Sequence, residues 1–80
     1  MIERFKLVRV MWDDSKVIHD WHGSGDGYDT VAHCATVGFL TQEEKTIVTL
    51  ALTVSEDGTI LETITIPRGC ITKIDNLRVR

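Results

Sequence analysis

The stretch Thr46–Ser55 does most to fix what this chain can become. Val48, Leu50, Leu52 and Val54 fall on one side of it, and Thr49, Ala51 and Thr53 on the other. That is the period of two an extended strand imposes, because successive side chains leave opposite faces of the pleat. Ser55-Glu56-Asp57-Gly58-Thr59 follows, and Asp-Gly supplies the backbone freedom that a tight hairpin turn demands. The return run Ile60–Ile66 sets Ile60, Ile64 and Ile66 against Thr63 and Thr65. A β-hairpin is therefore the firmest element, and β-branched residues dominate its surroundings, where pleated surfaces suit them.

The same pattern extends outward. Lys6–Trp12 reads as a first strand with Val8, Val10 and Trp12 on one side; Phe5 and Leu7 are out of phase, which predicts a bulge or bend near Leu7–Val8. Val31–Thr41 is apolar in both phases, predicting a strand buried on both sides, with Gly38 where it must bend. Gln42–Lys45 is a polar turn. Pro67 lacks an N–H and stops the fourth strand. Arg68-Gly69-Cys70 makes a short turn, and Ile71–Val79 forms a last strand, or a 3₁₀ turn plus strand. Five short strands with turns every ten or so residues predict an all-β chain closed into a small barrel, which removes exposed strand edges. Residues 13–30 carry no clean period and contain Gly23-Ser24-Gly25-Asp26-Gly27, so they are expected to form a long loop between the first and second strands.

Size and charge narrow the function. At 80 residues the chain is expected to be a single domain over 1–80. A pocket for catalysis is hard to carve from so small a core, and no nucleophile–base motif accompanies Asp13, Asp14 and His19, so the expectation is not an enzyme. The net charge of −3 argues against a general DNA-coating protein. No apolar run is long enough to span a bilayer, and Met-Ile-Glu-Arg-Phe-Lys does not read as a signal peptide, so a cytoplasmic protein is expected. Cys34 and Cys70 are read as reduced, mostly buried thiols.

The second half resembles a known family. Gly38-Phe39-Leu40, an acidic turn, a strand ending Leu50-Ala51-Leu52, and Ile66-Pro67-Arg68-Gly69-Cys70-Ile71 with Ile74 are similar to the Sm/Lsm proteins, a branch of the SH3-like small barrels. The resemblance covers Val37–Leu77 and implies a five-stranded SH3/Sm-like barrel that assembles through strand edges, with Ile60–Ile66 pairing the last strand of a neighbour. The Sm pattern places an RNA-contacting asparagine where this chain has Val48, and only Arg68 and Gly69 carry over, so single-stranded RNA binding is the weaker alternative. Trp12, Asp14, Ser15 and Trp21, with the Val-Gly-x-Leu strand and the Ile-Pro ending, resemble short proteins of phages and prophages.

Charge and aromatic placement suggest a site. Residues 1–9 hold Arg4, Lys6 and Arg9 against Glu3, and residues 67–80 hold Arg68, Lys73, Arg78 and Arg80 against Asp75. In a barrel whose first and last strands are neighbours, these ends merge into a basic patch that assembly would multiply. Arg68 is singled out because its Pro-Arg-Gly turn leaves the guanidinium fork free for bidentate contact. Trp21, His22 and Tyr28 in the long loop are suited to stacking on a base. Arg68, Arg78, Trp21, His22 and Tyr28 are thus the candidate ligand-binding residues. The functional expectation is a phage-type homo-oligomer that binds a small anionic ligand, nucleotide-derived in its sharpest form, and sequesters a host defence signal. A protein-interaction or assembly module is the first alternative. No cofactor is implied. His19-x-x-His22 and His33-Cys34 match no common zinc spacing, and His33 and Cys34 should point to opposite faces, so no metal site is expected.

Overall fold

The computed structural model describes residues 5–15 and 31–78, and they form an all-β fold with one five-stranded antiparallel sheet. The strands are β1 (Leu7–Ser15), β2 (Val31–Glu43), β3 (Ile47–Val54), β4 (Ile60–Pro67) and β5 (Ile71–Asn76), with a 3₁₀ turn over Arg68–Cys70 between the last two. Their order across the sheet is β4-β3-β2-β1-β5. Among the described residues no ladder joins β4 to β5, so both lie at sheet edges, connected by the 3₁₀ turn.

The core explains the curl of this sheet. Val8 and Val10 of β1, Val48 and Leu50 of β3, and Ile66 of β4 form one buried cluster, flanked by Trp12, Leu40, Ile71 and Ile74. β1 and β3 are not neighbours in the sheet, so their side chains meet only because the sheet coils over on itself. Gly38 sits where this happens. A Cβ added there would lie 2.8 Å from the Ala51 carbonyl oxygen and 3.2 Å from the Leu50 Cβ. The residue is glycine because the β3 backbone occupies that space.

The hairpin forms at the expected place. Ser55 N–H donates to the Thr59 carbonyl at 2.9 Å, and Gly58 takes a φ of 92°, which glycine adopts freely. Thr49 Oγ1 lies 2.9 Å from Thr65 Oγ1 across the β3–β4 ladder, so the one buried polar side chain among the described residues is satisfied.

Several expectations are corrected. β1 runs on to Ser15 and β2 begins at Val31, so Asp13, Asp14 and Ser15 are strand rather than loop. The β1 irregularity lies at Met11/Trp12 opposite β5, not at Leu7–Val8; against β2 the register is unbroken. β2 is not buried on both sides. Its even residues Ala32, Cys34 and Thr36 are half-buried, while Val31, His33, Ala35 and Val37 are exposed. Leu52 departs from the buried phase of β3 and is 63 % exposed. It stands opposite Glu62, whose φ of 57° interrupts β4.

Candidate functional site

The described part of the expected basic patch is brought together and partly neutralised, while Arg4 and Arg80 lie outside the described residues. β1 and β5 are neighbours, with Arg9 opposite Asp75 and Met11 opposite Lys73. Arg9 Nη2 donates to Asp75 Oδ2 at 2.8 Å, and Lys73 Nζ lies 3.5 Å from Asp75 Oδ1. The Arg9 hydrogen bond, above all, holds the Asp75 carboxyl below its usual range. One carboxylate therefore serves two cations, which leaves one positive charge in excess rather than a cluster of free cations.

Arg68 does not have a free fork. Its Nη2 donates to Glu43 Oε2 at 3.0 Å and its Nε to the Glu44 carbonyl at 2.9 Å, while its backbone N–H donates to the Thr46 carbonyl at 2.8 Å. The residue clamps the 3₁₀ turn to the β2–β3 connection. Gly69 permits nothing special, since a Cβ there would meet open space. Arg78 is exposed and has no partner among the described residues. Trp21, His22 and Tyr28 lie outside the described residues, as do His19 and most of the long loop.

His33 and Cys34 face opposite ways, as their alternation along the strand predicts. Among the described residues no group of His, Cys, Asp and Glu is arranged to hold a metal. Cys34 and Cys70 are free, half-buried thiols on either flank of β1, since Trp12 stands opposite Cys34 in β2 and opposite Ile71 in β5. Trp12 packs on the core and donates from Nε1 to Thr36 Oγ1 at 2.9 Å. Asp13 places its Oδ1 2.7 Å from His33 Nδ1 across the β1–β2 ladder.

What residue-by-residue reading misses is apolar. β2 pairs β1 along Val31–Phe39 but meets β3 only from Phe39 onward, where Phe39 stands opposite Ala51. N-terminal to that point β2 and β3 part, and a groove of about 220 Å³ opens between them. Thr36, Val37, Ala51, Leu52 and Ile64 line it, with Glu62 the one charged residue among the described residues of its wall. Val37 is 51 % exposed, and Leu61 beside the groove is 57 % exposed. The signal is present in the sequence as the second apolar phase of Val31–Thr41, but alternation alone reads that phase as a second buried face. A shallower recess of about 260 Å³ holds Lys6 beside Thr41, Gln42 and Glu43.

No protein-family model, curated protein or solved structure matches this chain. Among the described residues no helix is long and apolar enough to cross a membrane.

Proposed function

We propose that this chain is a non-enzymatic, homo-oligomeric assembly module whose contact surface is the apolar groove between β2 and β3 and the open strand edges around it. The groove carries the reading: Val37, Leu52 and Ile64 expose aliphatic surface side by side. Scattered exposed hydrophobics need no explanation, but contiguous ones around a concave site mark a contact surface. A core this small also gains from association, because the burial it forgoes alone is supplied at the interface. The reading keeps the homo-oligomer and the cytoplasmic, phage-type setting that the resemblance of the sequence suggests.

A second reading, binding of a small nucleotide-derived anion, is favoured by Arg78, which is exposed and has no partner among the described residues. Trp21, His22 and Tyr28 would complete that site. Arg68 contributes less to it, because its strongest donors already face Glu43 and Glu44. Sm-like RNA binding, with Val48 buried where the family places its asparagine, has the least support.

Native mass spectrometry of the protein as purified, repeated after mild denaturation, separates these. A bare oligomer supports the assembly reading. Release of a nucleotide-sized mass overturns it in favour of the anion reading, and a bare monomer at tens of micromolar removes the oligomer altogether.

A further inference from the structure

Backbone hydrogen-bond direction identifies one strand edge as a docking template. Leu40 N–H donates to the Lys6 carbonyl at 2.8 Å, and on the other side of β1 Leu77 N–H donates to the Leu7 carbonyl at 2.9 Å. In an antiparallel ladder the residues of one strand alternate between facing one neighbour and facing the other. With the β1–β2 register unbroken, the even residues of β2 turn their N–H and C=O toward β1. Val31, His33, Ala35 and Val37 turn theirs away, toward the side on which β3 has departed. Phe39 continues that series and does find a partner, Ala51. The four residues before it have none among the described residues.

The sheet's other open edges carry the devices that discourage pairing; this one does not. β4 carries the left-handed Glu62 within it and ends on Pro67. β5 is six residues long and bears Lys73 and Asp75. Charges, prolines and kinks are how proteins keep sheet edges from templating one another. On β2 the outward-facing residues are Val31, His33, Ala35 and Val37. They include no proline or permanent charge, and His33 already has Asp13 as its partner.

We propose that the Val31–Val37 edge of β2 docks antiparallel against the same edge of a second copy of this chain, about a two-fold axis through Cys34. This rests on the assembly reading above and names its surface and register. The register follows from the geometry: only an axis at Cys34 uses the outward N–H and C=O of all four residues, pairing Val31 with Val37 of the partner copy and His33 with Ala35. The edge is self-complementary about Cys34 and carries no permanent charge to repel its mate, which points to a second copy as the occupant. In this register no like charges oppose one another; the terminal pairs are valine on valine, and the histidine faces an alanine. The incoming strand enters beside the groove, where Leu52 and Ile64 offer apolar cover. A two-fold contact of this kind closes on itself and yields a dimer rather than a fibre.

The axis also supplies a reporter. Cys34 faces β1, so across the new interface it meets its symmetry mate as a non-hydrogen-bonded pair, with Cα atoms about 4.5 Å apart. That separation lies within the range a disulfide spans, about 4.4–6.8 Å. The test is sedimentation of the whole chain in reducing buffer, followed by oxidation with diamide, which takes up the two electrons and two protons released as two thiols join. The expected results are a mass near twice the 9.0 kDa chain and a covalent dimer that is lost in Cys34→Ser and kept in Cys70→Ser. Ala35→Pro should abolish the dimer while the monomer stays folded, because the Ala35 N–H belongs to no internal ladder. The double variant Val31→Lys with Val37→Lys opposes lysines in the dimer and alters only exposed side chains, so it tests the same contact should the proline variant misfold. A dimer that persists in these variants, or that cross-links through Cys70 or not at all, overturns this interface and leaves the assembly reading standing. A monomeric wild type overturns both.

Discussion

Leu52 and Glu62 face each other across the β3–β4 ladder without forming a bridge: Ala51 pairs with Thr63 and Thr53 with Leu61, but the pair between them is missing. Glu62 there adopts a φ of 57°. A side chain in the left-handed region crowds the following carbonyl, at a cost of about 1–2 kcal/mol for residues other than glycine. The missing pair lies at the groove, which Leu52 and Glu62 both line.

Glycine at position 62 relieves that crowding and gives up only the conformational entropy that glycine loses on folding, about 0.5–1 kcal/mol. Glu62→Gly is therefore expected to leave stability unchanged or to raise it by up to about 1 kcal/mol. Thr63→Gly, one residue on, is expected to lower it by about 0.5–1 kcal/mol. Urea denaturation of the two variants reads the opposite signs; equal losses at both sites would mean that the Glu62 backbone is not strained.

Gly38 calls for the reverse experiment. The Ala51 carbonyl oxygen lies 2.8 Å from where a Cβ would stand, so Gly38→Ala must push β2 off β3 at the point where the sheet folds over. Overpacking of this kind costs about 1–3 kcal/mol. Gly69→Ala meets open space at ordinary φ and is expected to stay within about 0.5 kcal/mol of wild type. A tolerated alanine at 38 would show that the two strands approach less closely than described.

These two glycines also show what the sequence can reveal. Gly38 is legible as a bend because it interrupts an apolar strand, and the hairpin is legible because Asp57-Gly58 separates two period-two runs. The exposed phase of β2 is not. Val31, Ala35 and Val37 look like core in sequence, and nothing local says that β3 leaves β2 at Phe39. The arginines mislead for a related reason. The sequence places Arg68 after a proline, where its fork looks free, but Glu43 and Glu44 reach it through tertiary structure, from 25 and 24 residues away. Asp75 counts as a single charge against the basic ends, but besides Lys73 on its own strand the cross-strand register brings it Arg9.

Arg68 is accordingly a stability residue. Arg68→Ala removes the contacts to Glu43 and to the Glu44 carbonyl, both at the surface, and is expected to cost about 0.5–1.5 kcal/mol. Arg68→Lys retains an attraction to Glu43 but cannot hold the forked geometry, so its loss should be intermediate. Thermal melts with and without millimolar inorganic phosphate distinguish this from a ligand role. Phosphate stabilisation that appears in wild type and vanishes in Arg68→Ala would make Arg68 an anion ligand after all.

The hairpin turn contributes to the acid limit. Asp57 accepts hydrogen bonds from the Ser55 hydroxyl and from the Thr59 N–H, and these lower its pKa from 3.8 to about 2, the Ser55 bond having the largest effect. A carboxyl depressed in the folded state contributes stability that is complete above its unfolded pKa and is lost as pH falls toward its folded one. The sign is therefore fixed: the urea midpoint should stay level from pH 7 down to about 5, then fall between 3.8 and about 2. Asp75, depressed by Arg9, adds to the same fall. Asp57→Asn keeps an acceptor oxygen in the turn but has no proton to gain, so its midpoint should drop less steeply below about pH 4 than that of wild type. Superimposable acid limbs for the two proteins would mean that Ser55 and Thr59 do not hold the Asp57 carboxylate in solution.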